Sequence, residues 1–168
     1  HPGPVPEKDL EALRLAAEGG PARARTWMAL GAAESRRTDV DPEAFARAES
    51  AFRRAAETRA GDANIRWALA RLYWDAAPVR PDRVRGALAW AEAALTAFPT
   101  CPRSQLITGR IHRDLASRPS WVEASGRTRS WLEGRSAAAY REALALDNQA
   151  LDAEQKLTEA ERAEAASP

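Results

Sequence analysis

Residues 140–148 read YREALALDN and residues 90–99 read WAEAALTAFP. Aligned on their alanine-leucine step, Ala94-Leu95-Thr96-Ala97-Phe98-Pro99 falls on Ala143-Leu144-Ala145-Leu146-Asp147-Asn148. Both are runs of strong helix formers that stop at a residue suited to a turn. Similar endings recur upstream, so that Pro21, Ala60, Pro99 and Asn148 close successive segments at intervals of 39, 39 and 49 residues. Self-similarity on that scale marks stacked helix-turn-helix units.

Composition agrees with that reading. The chain has 168 residues, 45% hydrophobic and 29% charged, which suits a folded domain or a short repeat array. Alanine and leucine dominate while isoleucine and valine are scarce, so helices are well supplied and strands poorly. The formal net charge of +1 supplies no field that would draw the chain onto nucleic acid or an anionic membrane. Its basic charge is nearly all arginine, a residue suited to gripping carboxylates where several converge. A single cysteine, Cys101, excludes an intramolecular disulfide and any multi-thiolate metal site. No apolar run reaches the roughly 20 residues a membrane span needs. The first residue is His1 and not Met, so the chain is expected to be a fragment or processed form, with the cytoplasm the favoured compartment.

Helical periodicity runs along most of the chain. Residues 1–8 (HPGPVPEK) are expected to be a linker. Leu10, Leu13, Ala16 and Ala17 define a first helix stopped by Gly19-Gly20-Pro21, and a second spans about 22–35. Asp41-Pro42-Glu43 opens a third, with Asp41 as N-cap, and Phe45, Ala48, Phe52, Ala55 and Ala56 share one face up to Gly61. Asp62 caps a fourth, to about Ala76, and a fifth runs from Pro81 to Phe98. A sixth starts near Arg103 and carries Leu106, Ile107, Ile111 and Leu115. Ser120-Trp121-Val122-Glu123 has the form of a capping box, and Gly126 interrupts the helix that would start there. A long helix over about 127–146 and a last one over about 149–163 complete the chain, with 164–168 a disordered tail. The expected fold is one all-α domain over 9–163 with an insertion at about 116–135.

The units resemble the tetratricopeptide repeat (TPR), with its pattern W-x2-L-G-x2-Y, then A-x3-F, then P over about 34 residues. Trp27-Met28-Ala29-Leu30-Gly31 carries the first part and Ala48 to Phe52 the second. In the next unit Leu69-Ala70 and Tyr73 take the L-G and Y places, Ala87 and Ala91 lie on the second helix, and Pro99 ends it. In the third, Gly109 and His112 are followed by Ser136, Tyr140 and Ala143. Glu34 stands where the first unit should have Tyr, Ala60 and Asn148 replace proline, and all three units exceed the pattern's length. The resemblance covers nearly the whole chain and implies an α-solenoid of antiparallel helix pairs, about three irregular repeats with flanking helices. Small residues would let paired helices approach while an aromatic fills the space opposite.

Nothing in the sequence carries catalytic chemistry. It has no Gly-rich phosphate loop, GxSxG, HExxH or CxxC, and no cofactor is expected. His112 falls at a packing position, Cys101 lies in a turn without a nearby histidine, and Glu154 and Glu159 read as a solvated face. The resemblance implies binding instead, because the first helix of each TPR pair lines a concave groove for a peptide or a partner helix. Spacing of i, i+3, i+7 and i+10 places Asn64, Trp67, Arg71 and Trp74 on one stripe of the fourth helix, and Arg103, Leu106, Arg110 and Arg113 on the sixth. On the second helix the stripe is Arg25, Met28, Ala32 and Ser35, with Arg36 beside it. Arginine and tryptophan commonly dominate interface energetics, and such a groove suits an acidic protein segment with an apolar anchor. The alternative places Trp67 between units and leaves the arginines solvated.

Met28, Ala32 and Ala68 stand where the family's chaperone-tail binders carry clamp residues, which disfavours a chaperone tail as ligand. Trp121-Val122 and Trp131-Leu132 in the insertion either pack back on the solenoid or form a secondary docking knob, and Trp90 lies toward the convex side. Two functions fit these features. One is an adaptor binding a peptide or protein, with no role for nucleic acid. The other is a structural or regulatory module packing on its own larger chain, since the style of the C-terminal part resembles TPR regions of bacterial Ser/Thr kinases. Partner identity and oligomeric state stay open.

Overall fold

The computed structural model describes residues 5–18, 24–39, 41–59, 62–150 and 156–167. Among them are helices α1 (Glu7–Glu18), α2 (Ala24–Ser35), α3 (Ala44–Thr58), α4 (Ala63–Ala76), α5 (Val84–Ala97), α6 (Pro102–Ser117), α7 (Pro119–Ser125), α8 (Arg129–Gln149) and α9 (Glu159–Ala166), with a 3-10 turn at Pro81–Arg83 and no strand. The fold is all-α. The stop signals at Gly19-Gly20-Pro21 and at Ala60-Gly61, and Glu154 of the expected last helix, lie outside the described residues.

Packing follows chain order. The closest partnerships are α2 with α3, α4 with α5 and α6 with α8, while α1 lies on α2 and α9 on α8. Each pair is locked by a glycine facing an aromatic ring. A β-carbon on Gly31 would stand 2.6 Å from the Phe52 ring, one on Gly86 2.2 Å from Tyr73, and one on Gly109 3.0 Å from Tyr140. The middle pair reverses the arrangement, since its glycine is on the second helix and its ring on the first. In the third pair Leu115 shares a cluster with Leu132, Ser136 donates to the Gly109 carbonyl at 2.9 Å, and Leu106 meets Tyr140 and Ala143. Numbers fall on one helix as they rise on the other, so α6 and α8 run antiparallel.

The core is correspondingly serial. Leu10, Trp27, Leu30, Ala51 and Ile65 join α1 to α4; Phe52, Leu69 and Leu72 form the next cluster. Leu88, Ile111, Leu115, Trp121 and Leu132 come after them, and Leu106, Tyr140, Leu157 and Ala165 close the series.

Several local expectations are corrected. The capping box is not at Ser120: α7 starts at Pro119, and the reciprocal pair is Thr158 with Glu161 at the start of α9. Pro119 reaches the first helical position first, where its fixed φ and missing N–H favour helix initiation. Asp41 still accepts from the Glu43 N–H at 2.9 Å, but the helix proper begins at Ala44. Asp62 caps α4 as expected, accepting from Asn64 N–H. Gly126, at φ 69°, ends α7 in the left-handed conformation that favours glycine, and Thr128 caps α8. At the chain's ends, α1 already includes Glu7 and Lys8 of the expected linker. Helix α8 extends through Gln149, and α9 spans Glu159–Ala166, so Glu164 and Ala165 are structured.

Glu34, the departure from the tyrosine position, is 1% exposed. Its Oε1 accepts from Arg14 of α1 at 2.7 Å and from Arg47 of α3 at 3.1 Å, tying three helices together. These bonds raise the pKa of both arginines above the ordinary value. A buried carboxylate is tolerated only when paired in this way.

Candidate functional site

The three expected stripes meet different fates. Arg25 on α2 and Arg36 just after it are exposed, and Met28 is half-buried between two core clusters. On α4, Asn64 and Arg71 are exposed; Arg71 faces Asp75 at 3.4 Å one turn along its own helix. Trp67 is half-buried and donates its indole N–H to Ser104 Oγ of α6 at 3.1 Å. Trp74 meets Trp121 edge to face, with centroids 4.9 Å apart and planes at 79°. The α4 tryptophans therefore join neighbouring helix pairs, and each still presents part of its ring to solvent.

The α6 stripe is covered by the chain's own C-terminal helix. Leu106 is fully buried with Tyr140, Ala143, Leu157 and Ala165. Above that apolar floor Arg110 grips both oxygens of Glu164, Nε at 2.9 and 3.0 Å and Nη2 at 2.5 Å. Arg113 Nη2 donates to the same carboxylate at 3.0 Å and the Tyr140 hydroxyl at 3.3 Å. Arg103 approaches Glu161 at 3.7 Å and donates to the Lys156 carbonyl at 3.5 Å. The Arg110 hydrogen bonds hold the Glu164 carboxyl below its ordinary value, while burial pushes the Tyr140 phenol up to about 12. Charge-assisted, two-pronged contacts of this kind are the strong form of the ion pair.

Asp147 anchors the junction. It is buried at the end of α8, its Oδ1 accepts from the Leu157 N–H at 2.5 Å, and Oδ2 lies 3.4 Å from Arg162 Nε. Arg162 in turn donates to the Leu157 carbonyl at 3.0 and 3.2 Å. Asp147, Leu157, Glu161 and Glu164 are absent from the stripes that helical spacing predicts. A signal for them exists: Thr158-Glu159-Ala160-Glu161 is a capping-box pattern, and Glu161 and Glu164 are three apart, on one helical face.

In the insertion, Trp121 is 4% exposed and packed in the core, so it presents no docking knob; burial of its large apolar ring against Trp74 decides between the two readings there. Trp131 is half-buried between Arg127 and His112. Trp90 is half-buried with the Arg53 guanidinium over its ring. A shallow depression of about 370 Å³ lies on α3 between Ala46 and Glu57, and none of its lining residues belongs to the stripes. Among the described residues no group of three His, Cys, Asp or Glu is placed to hold a metal ion, and no helix is long and apolar enough to cross a membrane. No protein-family model and no curated protein matches the chain.

Proposed function

We propose that the chain is a TPR-type helical-repeat module that binds an acidic protein segment with an apolar anchor along the face of α2, α4 and α6. The three glycine–aromatic pairs and the serial core support the repeat assignment. The observation that carries the binding assignment is α9 itself. Arg110 and Arg113 hold the carboxylate of an acidic helix, and Leu157, which leads into that helix, is buried beside Leu106. That is the chemistry the stripe suits, and on and just after α2 and on α4 the exposed Arg25, Arg36, Asn64 and Arg71 offer the same kind of surface beside two part-exposed indoles.

The test is an array of acidic peptides about 12 residues long with a leucine or isoleucine anchor, each paired with a lysine-swapped twin, probed with the chain and with Arg25→Glu/Arg71→Glu. Acidic members are retained, swapped twins are not, and the double reversal weakens retention by about tenfold as complementarity turns to repulsion. Equal retention of both charge types, or an unchanged double variant, overturns the reading. The docked α9 also favours a second reading, a structural module that packs on its own larger chain. That module would retain no array peptide of either charge.

A further inference from the structure

We propose that α9 is a displaceable internal ligand, covering a receptor face on α6 and α8 for an acidic amphipathic helix of a partner protein. The proposal rests on reading the arginine stripe as a protein-binding surface and adds how that surface is regulated.

The covered face has a ligand's requirements written into it. Its floor is Leu106, Tyr140 and Ala143, its rim Arg103, Arg110 and Arg113. The hydrogen bonds described for Arg110 all go to Glu164, so a vacated face would leave that guanidinium over apolar surface, where an acidic group restores the pairing. The occupant then defines its competitor. Glu161 and Glu164 stand three apart on one face of α9 with their carboxylates toward the rim, and Leu157 is the apolar anchor just before the N-cap Thr158.

The contact is also built to let go. Helix α9 has 8 residues, below the roughly 12–15 at which an isolated helix becomes even marginally stable in water, so its helicity depends on docking. Its apolar hold is one buried leucine and one buried alanine, and the α6 arginines that pair with it stay 39–49% exposed at the side chain. Such pairs reach solvent and weaken with salt. A partner helix with the same pattern and a longer apolar face competes for the same arginines, while Asp147 holds the root of α9 through the Leu157 N–H.

The probe is a fluorescein-labelled synthetic peptide of residues 156–167, titrated against the full chain and followed by anisotropy. Glu161→Lys/Glu164→Lys weakens the internal ligand and leaves every receptor arginine in place. That variant is expected to bind the peptide about tenfold more tightly than the unmodified chain, because less of the face is closed. Adding Arg110→Glu/Arg113→Glu removes the gain. Hydrogen exchange on the unmodified chain needs no folded variant: saturating peptide speeds exchange across α9 and leaves α2 to α5 unchanged. The proposal is overturned if the peptide binds both forms equally, or neither, or if α9 exchange ignores it. A stable dimer by light scattering that the peptide does not dissociate overturns it in favour of α9 exchange between copies. Array peptides that still depend on Arg25 and Arg71 while the 156–167 peptide fails would sink only the displacement mechanism. The converse pattern would sink only the α2 and α4 assignment.

Discussion

A β-carbon on Gly86 would meet the Tyr73 ring at 2.2 Å, whereas one on Gly134 in α8 would meet nothing within 4 Å. The same substitution therefore has opposite signs at the two sites. Gly134→Ala gains helix propensity and is expected to raise stability by about 0.5–1 kcal/mol. Gly86→Ala gains the same propensity but overpacks the α4–α5 seam, a cost of about 1–3 kcal/mol, and should come out destabilising in urea titration. His112 gives a third residue-scale test. It is fully buried, its Nδ1 donates to the Thr108 carbonyl at 2.8 Å, and burial pushes its pKa below 6.5, aided by Arg135 and opposed by that hydrogen bond and by Glu92. Above the ordinary histidine value both states are neutral there. As pH falls below it the unfolded chain takes up the proton first, so stability declines until the folded value is passed. Urea midpoints should drop as pH falls below the ordinary histidine value of 6.5, and His112→Gln should flatten that slope even if it lowers the midpoint overall.

At the scale of elements, α9 is held by two buried apolar side chains and by polar contacts to α6 and α8. Replacing Asp147 by Ala leaves the Leu157 N–H without its acceptor, and a buried donor left unpaired costs about 1–3 kcal/mol. The expected result of Asp147→Ala is fast hydrogen exchange throughout α9 with the protection of α2 to α5 retained, because local units open independently. Equal loss across all helices would show that α9 is part of one cooperative core. Glu164 adds a pH dependence of the same sign: its folded value is depressed, so its contribution is present above 4.5 and lost as pH falls through the folded value. Helix α7 is secured differently. Trp121→Ala removes a core ring packed edge to face on Trp74, and a loss of about 3–5 kcal/mol is expected. Helix existence was legible from periodicity and punctuation because those signals are local, as at Asp62. The docking of α9 was not, because it pairs Arg110 with Glu164 across 54 positions and places Leu157 against Leu106. Charge on a short helix reads as solvated until the partner helix is known.

For the molecule as a whole, a serial core means that each helix pair depends on its neighbours, and the residues between pairs are shared by packing and by any ligand. Trp67 illustrates this, since its ring is part-exposed on the α4 stripe while its N–H is committed to Ser104. Helical spacing alone leaves groove and inter-pair packing as alternatives for Trp67, because a half-buried ring serves both. The indole N–H signals in a 15N correlation spectrum follow directly from that geometry. Trp67 and Trp74 lie on the α4 stripe, whereas Trp27 is buried against Arg54 and Trp90 lies under Arg53. Titration with an acidic peptide retained on the array should shift the Trp67 and Trp74 signals and leave those of Trp27 and Trp90 in place. Shifts confined to Trp27 or Trp90, or no indole shift at saturating peptide, would contradict the assignment of this face as the binding surface.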